Sequence, residues 1–223
     1  GGITGRLLDV SNFFVGRLKG GLGLVNVVAS MVFGGISGSA ASDTASIGSV
    51  LIPEMKKRGY PAHFAAGITV ASSTMGMIIP PSVAMVIYAI AAQESVGQLF
   101  LGGVIPGLMV GAFQLGIVWY ISKKNDYPTE VVPFTLAEAW RQIRRSAVVA
   151  IMPLLIVGSV VFGIATPTET AGMAVAYGLL IGTLIVGLGS IRHLPDAMRN
   201  AILTSAKIMM IIAFSQVFIT VLA

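Results

Sequence analysis

From Leu22 to Ile52 the chain carries one charged residue, Asp43, and comparably apolar blocks recur at 64–92, 99–121, 147–165, 170–188 and 201–223. A helix needs ~20 mainly apolar residues to cross ~30 Å of hydrocarbon, and no soluble core element needs runs this long. The chain could not coat a soluble domain either. Only 10% of its residues are charged and 55% are hydrophobic, with a mean hydropathy of +0.89, whereas soluble domains carry about a quarter charged residues. The expected class is an all-α polytopic membrane protein. Its 27 glycines suit spanning helices, whose neighbours approach closely over small side chains. With no cysteine, disulfides and thiolate metal sites are excluded. The start at Gly1-Gly2-Ile3 and the stop inside an apolar run, Ile208–Ala223, are read as those of a piece of a longer protein.

Charge assigns the sides. Lys and Arg concentrate at 6–19, 56–58, 123–145 and 192–207, and are missing from 93–98 and 166–169. Cytoplasmic loops hold the Lys/Arg excess, so the four basic regions are expected inside. The spans 64–92, 99–121, 147–165 and 170–188 then alternate in direction. The stretch 22–58 does not, because both its flanks are basic. Each half, on either side of a Gly/Ser-rich break at Gly34–Asp43, is about 15 residues long, too short to cross alone. A re-entrant hairpin that turns at Ser37–Asp43 satisfies both facts. Residues 1–21 read as an amphipathic or membrane-end helix. Residues 122–146, with Trp140 and Ile143 among arginines, read as a cytoplasmic amphipathic connector able to attract anionic membrane lipids, which gives no reason to expect nucleic acid.

Irregular backbone at membrane depth is tolerated where it is buried in protein or lines a wet cavity, so the breaks are the functional candidates. At the first, Ser37, Gly38 and Ser39 could offer hydroxyl and carbonyl oxygens to a hard cation such as Na⁺. The start of the returning helix, near Ser42 and Asp43, would present free N–H groups to an anionic substrate. The plainer readings are that Asp43 is an N-cap and that Ser37 and Ser39 serve helix packing. A second break runs Ser72-Ser73-Thr74-Met75-Gly76-Met77-Ile78-Ile79-Pro80-Pro81. Its prolines remove two donors and free carbonyls near Gly76 and Met77. Ser73, Thr74 and Gly76 are candidate Na⁺ ligands there, and Ser72, Pro80 and Pro81 candidate substrate contacts. Proline kinks also occur without any ligand; two consecutive hydroxyl-rich breaks point more firmly to one shared site. Such breaks are how many secondary transporters build their sites.

A third break, Thr166-Pro167-Thr168-Glu169, resembles the first at Glu169-Thr170-Ala171 against Asp43-Thr44-Ala45. The charge map opposes an internal repeat. It places Glu169 at an outer helix start, capped by Thr166 or Thr168. His63 and His193 read as surface residues beside basic loops, and Trp119, Tyr120 and Trp140 as interfacial belt positions. No nucleotide loop, paired histidine or Gly-x-Ser-x-Gly occurs, so no enzyme is expected.

Two runs, Met31–Asp43 and Ile47–Tyr60, followed by Ile78-Ile79-Pro80-Pro81-Ser82 and Thr166-Pro167-Thr168-Glu169, resemble the large membrane subunit of TRAP (tripartite ATP-independent periplasmic) transporters over essentially the whole chain. The resemblance implies Na⁺-driven uptake of an organic acid, such as a C4-dicarboxylate or sialic acid, across a bacterial or archaeal inner membrane. It also implies a periplasmic substrate-binding protein, a small membrane subunit and an elevator-type fold. In that fold 22–58 is similar to the inner hairpin and 64–92 to the broken helix of the transport domain. Residues 147–223 are similar to the scaffold of a second repeat. By position Ser37, Gly38 and Ser39 match the hairpin tip, and Ser72–Gly76 with Pro80-Pro81 match the break.

Overall fold

The computed structural model describes Ser11, Val15 and residues 18–128, 151–183 and 194–222; most of the expected helix 1–21, most of the connector 122–146, Trp140 and His193 lie outside the described residues. Every element described is helical. In chain order these are α1 (Gly21–Ser37), α2 (Ala40–Lys57), α3 (Ala62–Ser73), a 3₁₀ turn (Thr74–Met77), α4 (Val83–Ala92) and α5 (Val96–Lys124), then α6 (Ile151–Val161), α7 (Pro167–Ile181) and α8 (Leu194–Leu222). The chain forms two compact units, Gly1–Val175 and Ala176–Ala223.

The first unit is built on α1. Leu22, Val25 and Ala29 on one side of it pack with Ile47, Leu51 and Met55 of α2 and with Tyr60 and Ala65. Leu24 and Val27 on the other side meet Met75 and Val118. An α1 buried against α2, α3 and α5 together can therefore be apolar nearly all round, as its sequence is.

Helix α5 is built the other way out from a soluble helix. Gly103, Gly107 and Gly111 are buried, while Leu101, Ile105, Leu108, Phe113 and Ile117 are exposed. The glycines recur every fourth residue, on one face, and let Ile78, Ile79 and Met31 lie directly against the helix backbone. Large side chains outward and small ones inward is the pattern of a helix whose outer solvent is lipid. Both α5 and the Leu194–Ser215 part of α8 are long and apolar enough to cross a membrane.

Helix ends follow local chemistry. Thr166 caps α7 as expected, and the cap is reciprocal. The Thr166 backbone N–H and hydroxyl both donate to Glu169 Oε2 at 2.8 Å, while Glu169 N–H donates back to Thr166 Oγ1 at 3.3 Å. Those two bonds hold the Glu169 carboxyl below its ordinary pKa. At the opposite end of the unit Lys19 pairs with Asp126 at 2.6 Å, and Tyr60, Phe64 and Tyr127 form an aromatic cluster. Trp119 is exposed, with Lys123 over its ring at 5.2 Å.

The first break is shorter than the glycine-rich sequence suggests. Helix α1 runs through Gly34 and Gly35 to Ser37, and α2 resumes at Ala40, so only Gly38 and Ser39 are non-helical. Glycine costs helix stability chiefly by exposing backbone to water and by its chain entropy. Gly34 and Gly35 are buried, which removes the first of these and rewards the small side chain with close packing.

Candidate functional site

Gly38 takes the left-handed conformation (φ 61°), which ends α1 with its N–H on Gly34 O at 2.9 Å. Ser39 is extended and is the N-cap of α2, its Oγ accepting Ser42 N–H at 3.5 Å. The N-cap alternative for Asp43 is thereby excluded. Asp43 lies one turn inside α2 and is wholly buried. The Ser37 hydroxyl accepts Ser39 N–H at 3.2 Å and donates to Asp43 Oδ1. Asp43 Oδ2 is buried and has no hydrogen-bond partner.

That oxygen sits at a junction of two glycines. A Cβ on Gly76 would lie 2.6 Å from Asp43 Oδ2, and one on Gly34 would lie 2.8 Å from Gly76 Cα and 3.3 Å from Oδ2. Backbone therefore meets backbone here, and any side chain larger than hydrogen would displace the carboxylate. The hairpin turn also docks on the second break. Val83 N–H donates to Gly38 O at 3.2 Å, and a Cβ on Gly38 would be 2.9 Å from Pro81 O. The Pro80-Pro81 peptide is cis.

The two breaks thus bring together Ser37, Gly38, Asp43, Gly76, Pro80 and Pro81, with Ser39 at the turn. Other candidates stand elsewhere. Ser42 and Thr74 are exposed, and the Thr74 hydroxyl donates to Ala71 O at 2.7 Å. Ser73 donates to Thr69 O at 2.7 Å, and Ser72 faces Ser30 and Asn26. Of the carbonyls expected to be freed, Met77 O accepts the Ser82 hydroxyl at 2.8 Å. The second break therefore meets the first through backbone rather than through its hydroxyls. Asn26, Ser30 and Thr69, all fully buried, are functional candidates that no sequence motif marks. Their signal was polar residues one turn apart, 26 with 30 and 69 with 72 and 73, inside otherwise apolar runs.

Beside the turn opens a cavity of about 580 Å³, lined by Ile36, Ser37 and Gly38, by Pro81 and Ser82, and by Pro167, Thr168 and Ala171 among others. Ser37 belongs to both sides of the arrangement. It borders the cavity while its hydroxyl reaches the buried carboxylate. Among the described residues no group of three or more His, Cys, Asp or Glu assembles.

In the first unit a helix–turn–helix docks on a broken helix, and the family match gives the class, that of a transport protein rather than an enzyme. The chain belongs to the family described as "Tripartite ATP-independent periplasmic transporter, DctM component", which it matches over residues 1–223. The family is membrane-embedded. The chain is 33% identical over 232 residues to the C4-dicarboxylate TRAP transporter large permease protein DctM of Rhodobacter capsulatus, covering 98% of this chain and 52% of that protein. It is 35% identical over 218 residues to the isethionate TRAP transporter permease protein DctMQ of Oleidesulfovibrio alaskensis, covering 98% and 34%. It is 37% identical over 185 residues to the sialic acid TRAP transporter permease protein SiaT of Haemophilus influenzae, covering 83% and 30%. The chain thus spans about half the length of the first relative and about a third of the other two.

Proposed function

We propose that this chain carries the inner-hairpin half of a Na⁺-coupled transporter that imports an organic acid across the inner membrane by an elevator motion. In this reading a periplasmic binding protein delivers the substrate and a small membrane subunit braces the permease. Residues 22–58 form a re-entrant hairpin and 64–92 the broken helix beside it. The relatives' names, for C4-dicarboxylate, isethionate and sialic acid carriers, support a small organic anion as the substrate class.

The observation that carries the proposal is Asp43 Oδ2, buried at the meeting of two helix breaks with no protein donor. An ion taken out of water costs several kcal/mol even after relaxation, unless it is paired. A small cation removes that cost. The donors fit a hard one: the Asp43 carboxylate, the Ser37 hydroxyl, and backbone carbonyls of the turn at Gly38–Ser39. Bound Na⁺ would supply positive charge beside the cavity, where an organic anion is attracted. Ser37 would link the two occupants, since it borders the cavity and bonds Asp43.

The test is uptake into proteoliposomes by the full-length protein with its partner subunits, using a panel of organic acids with and without a Na⁺ gradient. Wild-type uptake should require Na⁺. Asp43→Asn should lower Na⁺-driven uptake by more than about tenfold at unchanged membrane abundance, because the lost charge exceeds the ~1.4 kcal/mol that a factor of ten represents. Ser37→Ala should weaken it less. Downhill flux indifferent to Na⁺ would instead identify a passive pore, and unchanged Na⁺ dependence in Asp43→Asn would remove the ion from this site.

A further inference from the structure

One level below the glycine junction, α1 and α3 are joined by four polar side chains, Asn26, Ser30, Thr69 and Ser72, each fully buried. Two of their bonds have a fixed direction. The Thr69 hydroxyl donates to Ala65 O at 2.8 Å, so Thr69 Oγ1 is left to accept, and Asn26 Nδ2 donates to it at 2.7 Å. That orients the amide and turns Asn26 Oδ1 toward Ser72. The Ser72 hydroxyl has three acceptors in reach, Ser30 Oγ at 2.8 Å, Thr69 O at 3.2 Å and Asn26 Oδ1 at 3.3 Å. Donation by Ser72 to either of the last two makes Ser30 the donor across the 2.8 Å contact to Ser72 Oγ. With Ser72 donating to Asn26 Oδ1, the chain runs Ser30 to Ser72 to Asn26 to Thr69 to Ala65 O. Asn26 Nδ2 also lies 3.8 Å from Met55 Sδ, so one side chain touches both α2 and α3.

The network has no charge of its own and does not open on the cavity. Its position is what matters. Ser30 lies one turn before Gly34 on α1, and Ser72 lies one turn before Gly76 across the α3 end, so the network and the glycine junction are successive rungs between the same two elements. Sliding α1 by one residue along α3 would shift it about 1.5 Å and rotate its contacts by about 100°. Every bond between the two helices would then be lost, while the bond from Thr69 to Ala65 O within α3 would stay. We infer that Asn26, with Ser30, Thr69 and Ser72, is a positioning set that fixes the register of the hairpin's first arm against the broken helix, and so holds Gly34, Gly76 and Asp43 in the geometry that accepts the coupling cation. The inference rests on the Na⁺ reading above.

The test measures the Na⁺ and substrate concentrations for half-maximal uptake, together with turnover, in the full-length protein. Asn26→Leu keeps the volume, and it leaves the Thr69 and Ser72 hydroxyls satisfied by Ala65 O and Thr69 O. The half-saturating Na⁺ should rise roughly three- to tenfold, the scale of one buried hydrogen bond, with turnover at saturating Na⁺ within about twofold. Thr69→Val, which keeps the shape but deletes the acceptor for Asn26, should raise it as well. Thr69→Ser should restore the wild-type value, which a simple packing role would not produce. Wild-type Na⁺ half-saturation in both Asn26→Leu and Thr69→Val would overturn the positioning role while leaving the Na⁺ reading intact. Wild-type uptake that ignores Na⁺ would overturn the parent reading itself. Should Asn26→Leu fail to accumulate, the Thr69→Val and Thr69→Ser pair decides.

Discussion

Gly76 makes the most exacting demand of any residue. A methyl group there would sit 2.6 Å from Asp43 Oδ2 and against the Gly34 backbone. The carboxylate is a side-chain end, but a buried one whose other oxygen is held by the Ser37 hydroxyl. Gly76→Ala should therefore destabilise the protein by about 1–3 kcal/mol, the usual cost of overpacking, and displace the carboxylate. Thermal unfolding in detergent and Na⁺-dependent uptake should both record it. In the sequence this residue was legible as part of a break, but its partner was not. Gly34 read as a place where the helix stops, whereas it is a place where two backbones touch. Asp43 was similarly half legible. A lone carboxylate in an apolar block announces itself, but composition cannot say whether it caps a helix, faces a cavity or lies buried beneath the turn. The deciding fact was which serine took the cap, and Ser39 stands four residues earlier.

Among the elements, α5 separates two kinds of glycine on one helix. A Cβ on Gly103 would meet the Ile78 carbonyl oxygen at 2.6 Å, while one on Gly102 would meet nothing within 4 Å. Gly102→Ala is expected to be neutral or to stabilise by up to ~1 kcal/mol through helix propensity. Gly103→Ala should cost about 1–3 kcal/mol, because a backbone carbonyl in the second break must give way. Melting curves of the two variants side by side check the contrast. The apolar character of the helices and the span-length of α5 were readable from the blocks, since a span must be long and nearly uncharged. Their ends were less so. Helix α2 begins at Ala40 rather than after Asp43, α5 extends to Val96 and Lys124, and α8 starts at Leu194, well before the apolar run. Capping and loop geometry set those limits, and hydropathy does not record them. The Asn26 network was invisible for a related reason. Single polar residues in a span average out of any window, and their meaning appears only when a second helix brings partners at matching height.

The whole chain raises the question of sides. The unit Gly1–Val175 exposes large apolar side chains along α5, among them Ile105, Phe113 and Ile117. Membrane embedding accounts for this outward surface. Charge alone orients it. Topology reporters fused after residue 20 and after residue 58 should both report the cytoplasm, and one fused after residue 95 the opposite side. Opposite answers at 20 and 58 would turn 22–58 into a crossing and dissolve the re-entrant reading. Each half of that stretch is a helix of 17 or 18 residues, at the short limit for a span, so the fusions are a decisive measurement.

The bond from Val83 N–H to Gly38 O joins the hairpin turn to the start of α4 across 45 positions of sequence, and it is made of main chain alone. A substitution scan that swaps side chains passes over it, whatever its weight. Proline is the one amino acid that addresses it, because only proline lacks the donor. Val83 is the first residue of α4, where proline is welcome, and Ser82 before it is already extended at φ −119°, ψ 129°, the shape a following proline asks for. The joint between the two breaks is therefore silent to a conventional mutational map and open to a single-letter change that such maps usually leave out.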